Sequence, residues 1–194
     1  MIKNKSYLLL VLGYATLYGS VTAVGTIINS LTKPFDYTIQ NNSLFGALFI
    51  ISGIVGSIAS GIFLDKTHKF KLVMISVSIA AVLLMITVLF TLPSKSVPLF
   101  SINLALLGFF AVPLTPIAFG FSVELTYPTP EAVSNGIMLL PSKIYGSLLA
   151  VTAGLIAGSD PRYSVVIFIV NAAICLGCSL LMKEELKRLE QKEE

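Results

Sequence analysis

Six apolar runs, at residues 7–32, 42–64, 72–92, 98–121, 132–157 and 163–182, take up nearly the whole of this 194-residue chain. A helix that crosses a bilayer needs roughly 20 mostly apolar residues, so each run is long enough to span. The loops between them are short and carry Pro, Gly, Asn or charge, which leaves no room for a water-soluble domain. Composition agrees: 55% of residues are hydrophobic and 12% charged, where a soluble domain has about a quarter charged, and the mean hydropathy is +0.89. The fold expected is all-α, a polytopic membrane bundle over residues 1–182 with lipid as its outer partner, followed by a charged tail over 183–194. The first run continues past Gly25 without a small-residue cleavage site, so it reads as a retained span and not a secretory signal.

Charge sets the orientation. Lys3, Lys5, Lys66, Lys69, Lys71, Lys183, Lys187, Arg188 and Lys192 fall on one side of the six spans, and only Lys33, Lys95 and Arg162 on the other. Short loops rich in Lys and Arg stay in the cytoplasm, which predicts cytoplasmic termini in a multi-pass protein, with the plasma membrane preferred over an organelle. The net charge of +3 is spread over loops and ends, a distribution that does not build a nucleic-acid surface. In the tail, Glu184 and Arg188 stand at i,i+4 spacing, which predicts a continuation of the last helix into water.

No catalytic or metal constellation is legible. The one histidine, His68, lies in a loop without a second His or a nearby Cys, so no metal site or cofactor is expected. Cys175 and Cys178 form a C-x-x-C inside an apolar span, where they read as small packing residues. Acids sit almost entirely at span ends, leaving no base or nucleophile cluster at membrane depth, and an enzyme is not expected. Asn41-Asn42-Ser43 is a glycosylation sequon close to the start of the second span.

Lys143 stands apart from this pattern. It lies about 12 residues into the fifth run, hence roughly 18 Å along a helix rising 1.5 Å per residue, near the bilayer midplane. A charge there costs at least about 2.5–3.5 kcal/mol on insertion scales and marks a pathway or a partner. Its expected role is to meet an anionic substrate group or an acid on a second bundle; the alternatives are a side chain that sheds its proton or snorkels to the interface. Tyr14, Tyr18 and Tyr145 also lie inside spans, where each hydroxyl needs a partner. Pro113, Pro116 and Pro141 are expected to bend their helices.

The second run stacks Gly53, Ser57 and Gly61 at i, i+4 and i+8, a small-residue face of the kind that lets membrane helices approach closely. It leads into Gly61, Asp65, Lys66 and Lys69, a glycine, an acid four residues on, and a basic cluster. That loop resembles the conserved loop signature of major facilitator transporters. The resemblance implies that the acid faces a neighbouring helix N-terminus, where negative charge is favoured, and that the loop steadies one conformation. Between the fourth and fifth runs, Pro128 is expected to end one helix, Thr129 to cap the next, Pro130 to sit in its first turn and Glu131 to complement its positive end.

The stretch Glu124-Leu125-Thr126-Tyr127-Pro128-Thr129-Pro130-Glu131, continuing through Ser134-Asn135-Gly136 to Lys143-Ile144-Tyr145-Gly146, resembles the feline leukaemia virus subgroup C receptor-related branch of that superfamily. Lys3 to Ser6 and Thr26 to Asn29 are similar to that branch at the start and within its helix seven, so the resemblance covers nearly the whole chain. It implies that the six spans correspond to helices seven to twelve of a twelve-helix transporter, half of a major facilitator fold. It also implies transport of choline, ethanolamine or, by earlier proposals, haem, with an aromatic cage attracting the cation. Position by position, the branch's helix-seven tyrosine falls on Thr22 and its helix-eleven glutamine on Lys143; Tyr18, one turn before Thr22, can supply a ring instead.

The leading expectation is therefore a small-solute transporter bundle working by alternating access, with Tyr18, Thr22, Asn29, Lys143 and Tyr145 along the solute path. Such a bundle needs a second one: an N-terminal half, a copy of itself or a full-length relative. The competing expectation is a non-transporting membrane protein that pairs with a full-length transporter and regulates it.

Overall fold

The computed structural model describes residues 4–184. Helices α1 (Lys5–Thr32), α2 (Ile39–Thr67), α3 (Phe70–Thr91), α4 (Val97–Ala111), α5 (Leu114–Thr126), α6 (Glu131–Ala157) and α7 (Pro161–Leu181) follow in order, with a 3-10 turn at Lys33–Phe35. Six of these units are long and apolar enough to cross a membrane, α4 and α5 together making one. The fourth predicted run is thus a single span broken at Val112 and Pro113, where the proline ring removes an amide donor from the ladder. Pro141, in contrast, sits inside an uninterrupted α6.

Short polar residues set the helix ends. The Asn4 side chain accepts from the amides of Ser6 and Tyr7, the Thr38 hydroxyl from that of Asn41, and the Asp160 carboxylate from that of Arg162. His68 closes α2 in the left-handed region at φ 51°. Two expected ends differ. Helix α6 takes Pro130 as its N-cap, with no side-chain cap from Thr129, and Glu131 is its first residue. Helix α7 stops at Leu181 and Met182 turns to extended backbone, so residues 182–184 do not prolong it; Arg188 lies outside the described residues. The reason is local: the Lys183 amide donates to the Ser6 hydroxyl at 3.1 Å and Glu184 accepts from the Lys71 amide at 3.2 Å. These two bonds carry the chain across the ends of α1 and α3.

With six spans, both ends of the described chain fall on one side. Core side chains form two groups, one toward that side around Tyr7, Leu10, Met74 and Phe121, the other toward the far side around Ile27, Phe45, Phe100 and Phe168. On the far side Tyr37, Phe45 and Phe100 pack as a ring triad with centroids 4.8–5.6 Å apart. Burial pushes the Tyr37 phenol above its ordinary value, opposed by Ser94, and the hydroxyl donates to the Leu92 carbonyl at 3.3 Å. Lys95 and Asp36, both in left-handed turns, close an exposed ion pair at 2.6 Å on the same side.

The packing has an internal symmetry that no sequence repeat announces. Helix α1 packs chiefly on α6 and α7, the α4–α5 span on α2 and α3, and α3 on α7. Exchanging the first three spans with the last three maps this pattern onto itself, the arrangement that repeated three-helix units produce. Both equivalent crossings are glycine contacts. At α2/α4, a Cβ on Gly56 would stand 1.9 Å from the Phe109 carbonyl oxygen and one on Gly108 would stand 2.2 Å from that of Phe49. At α1/α6, Gly19 and Gly146 face each other, each Cβ position within 3.1–3.2 Å of the other's Cα. Without side chains in the way, the backbones touch.

Candidate functional site

The α1/α6 crossing falls at the middle of both helices. Tyr18 is thirteen residues into the 28-residue α1, and Lys143 twelve residues into the 27-residue α6, about 18 Å from its start. The Lys143 ammonium donates to the Tyr18 hydroxyl at 2.5 Å. It lies 4.8 Å from the ring centroid, farther than from the hydroxyl, so the contact is made at the ring's edge and the hydrogen bond dominates it. Behind Tyr18, Tyr14 stacks at 5.0 Å with 17° between the planes, and Phe119 of α5 packs on Tyr14. Tyr14 is fully buried, which fixes the stack against α5.

Thr22 sits at the same crossing, its hydroxyl 2.8 Å from where a Gly146 Cβ would stand. It donates to the Gly19 and Tyr18 carbonyls of its own helix at 3.0 and 3.2 Å. Its proton is thereby turned inward. Tyr145 covers Gly19 and donates a short hydrogen bond to the Asn171 amide oxygen of α7. Asn171 lies at the middle of α7 and donates in turn to the Ile167 carbonyl at 2.9 Å.

The structure therefore brings Tyr18, Thr22, Lys143 and Tyr145 together and leaves Asn29 apart. Eleven residues beyond Tyr18, about 16 Å along α1, Asn29 is near the far side and accepts from Asn42 of α2 at 2.6 Å. Tyr18, Thr22, Thr26 and Asn29 still share one face of α1, the last two exposed. That face borders an open groove of about 380 Å³ between α1, α2 and α4, lined among others by Val21, Thr22, Gly25, Phe45 and Phe49. Asn171, not singled out by the sequence reading, belongs to the cluster. Its signal was present as the one amide inside the last apolar run.

The small-residue face of α2 differs from the expected one. Gly53 approaches Val112 and Gly56 approaches Phe109, while a Cβ on Gly61 would meet nothing within 4 Å. Ser57 donates to the Gly53 carbonyl of its own helix at 2.8 Å. Gly53 and Gly56, about one turn apart, and not the i, i+4, i+8 row, therefore make the crossing. Asp65, Lys66 and Lys69 are all exposed. At the start of α3, Glu184 accepts from the Lys71 amide. Buried Cys175 lies 3.4 Å from the Ser78 hydroxyl, both cysteines are free, and Asn41 of the sequon falls in the first turn of α2.

Most of the outward surface is aliphatic or aromatic, with Ile50, Ile54, Ile58, Leu83, Phe90, Leu148 and Leu155 exposed. Residues 10–194 match the Major Facilitator Superfamily. The chain belongs to that superfamily. It is an integral multi-pass membrane protein with half of the major facilitator fold. Among its relatives, the choline/ethanolamine transporter flvcr2b of Danio rerio is 28% identical over 193 residues, covering 97% of this chain and 39% of the relative. The choline/ethanolamine transporter flvcr2a of the same organism is 32% identical over 154 residues, 79% of this chain and 33% of the relative. The choline/ethanolamine transporter FLVCR2 of Rattus norvegicus is 30% identical over 190 residues, 97% and 35%. The chain thus spans 33–39% of the length of these relatives.

Proposed function

We propose that this chain acts as the C-terminal bundle of a small-solute transporter working by alternating access, with the solute passing the α1/α6 crossing at Tyr18, Thr22, Lys143 and Tyr145. The supporting observation is the Tyr18–Lys143 pair, open to the outside of the bundle at mid-span, with Lys143 exposed. Lipid offers an ammonium no hydrogen-bond partner at that depth, and side chains of this kind face a bundle interior or a water-filled path. A second six-helix bundle over this face supplies such a path, whether an N-terminal half or another copy of this chain. The glycine contact beneath the pair gives a stiff wall for the solute to press on, and rocking of two such walls exposes the site to each side in turn. The termini face the cytoplasm of a plasma-membrane protein in this reading, and loop 61–71 steadies one state.

The relatives' names make choline and ethanolamine the first solutes to test; haem rests on the family resemblance alone and comes second. The decisive experiment is uptake of labelled choline, ethanolamine and a panel of anionic metabolites into vesicles holding the purified chain, alone and with a candidate second bundle. Saturable uptake above empty vesicles in either arm is expected. Uptake only in the second arm makes the chain a half-transporter. No uptake in any arm, with the chain folded, overturns the reading in favour of a regulator of a full-length relative.

A further inference from the structure

We infer that the Tyr18–Lys143 pair is an anion-recognising site, so that the solute or ligand taken here carries a carboxylate or phosphate group. The inference rests on the transporter reading for its route, though not for its binding step. The argument is one of donors and acceptors. Lys143 gives one N–H to the Tyr18 hydroxyl and keeps two, while that hydroxyl, having accepted, keeps its own proton to donate. The neighbouring Thr22 hydroxyl directs its proton to carbonyls of its own helix, and Tyr145 directs its proton to Asn171. What faces outward from Tyr18 and Lys143 is therefore a set of converging donors with a positive charge among them, the complement of an acceptor-only anion.

No ion pair to Lys143 is formed among the described residues. The Lys95–Asp36 ion pair lies on the far side. The described acids stand at span ends: Glu131 is twelve residues from Lys143 on the same helix, and Glu124 is two residues from the end of α5. A solute with an anionic group neutralises Lys143 at the depth where an unpaired charge is most costly. A cation at the Tyr18 ring, by contrast, shares it with an ammonium 4.8 Å from the centroid. Like charge then opposes the ring's attraction. A phosphate or carboxylate on the solute neutralises the lysine and so lifts that opposition, which lets the same solute carry an amine as well.

The test uses probes matched except for the anionic group: choline, phosphocholine and glycine betaine. Binding of each is measured at equilibrium to the full chain in lipid nanodiscs, and uptake of each into vesicles is measured in parallel. The variants are Lys143→Gln, Lys143→Arg and Tyr18→Phe, each checked for unchanged thermal unfolding. Phosphocholine and betaine are expected to bind at least tenfold tighter than choline. Lys143→Gln should abolish that preference, Lys143→Arg should retain most of it, and Tyr18→Phe should weaken it several-fold. Saturable, Lys143-dependent binding without uptake keeps the inference and breaks the transporter reading. Choline binding as tightly as its phosphate ester, a preference unchanged in Lys143→Gln, or no binding of the anionic probes overturns the inference and assigns the lysine to an acid on a second bundle.

Discussion

The two glycine crossings occupy equivalent places in the packing yet differ in what surrounds them. At α2/α4 the contact is backbone on backbone, Gly56 against Phe109 and Gly108 against Phe49, and the Ser52 hydroxyl beside it is turned back onto the Phe49 carbonyl of its own helix. At α1/α6 the approach is looser, Gly19 and Gly146 facing each other beneath Tyr18, Thr22, Lys143 and Tyr145. One geometry thus serves two purposes. Where neither helix spares room for a single methyl, the crossing holds the bundle's shape; where the neighbours are flexible polar side chains, the same crossing displays hydrogen-bonding groups at mid-membrane.

The contrast is most directly broken at Gly56. Gly56→Ala places a methyl 1.9 Å from the Phe109 oxygen, backbone that cannot move without parting the helices, so a loss of about 3 kcal/mol is expected. Thermal unfolding in lipid, followed by tryptic accessibility, should show it; a loss under ~1 kcal/mol would mean the two crossings are equally tolerant. Gly19→Ala meets first the Tyr145 ring at 2.8 Å, which can swing aside, so about 1–2 kcal/mol is expected. Its signature is coupling: combined with Tyr145→Phe, the cost should fall below the sum of the separate effects. Asn171→Leu removes the Tyr145 acceptor and should cost about 1 kcal/mol, in the range of hydrogen bonds between membrane helices. A double-mutant cycle with Tyr145→Phe reads that energy directly, and zero coupling would remove Asn171 from the cluster. Gly61→Ala, with open space at its Cβ, should stabilise α2 by up to ~1 kcal/mol through helix propensity, separating this glycine from Gly56 on the same helix.

Much of this was readable from residue order. The spans were, because an apolar run of membrane length has one local solution, and five of the six proved to be single helices. Pro113 was read as a bend and proved a break, since a proline leaves the degree of opening to its neighbours. Lys143 stood out by depth alone. Which glycines touch was not readable: Gly53, Gly56, Ser57 and Gly61 are all small, and only the position of α4 selects two of them. Asn29 was placed on the solute path with Tyr18, but three turns of rise separate them. The Glu184 contact with the Lys71 amide was not readable, because the chain leaves α7 earlier than its charge spacing implied.

The short strap after α7 has a mechanical meaning. Through the Lys183 amide on Ser6 and the Glu184 carboxylate on the Lys71 amide, the ends of α1, α3 and α7 are stitched together on one side. Three rods joined at one end turn as a lever. In the transporter proposed above, movement of α1 around a bound solute would reach the ends of α3 and α7 through these two bonds. Cutting the stitches with Ser6→Ala and Glu184→Ala, which remove both acceptors, should leave binding at the α1/α6 crossing unchanged while tryptic accessibility at the joined ends of α1, α3 and α7 rises.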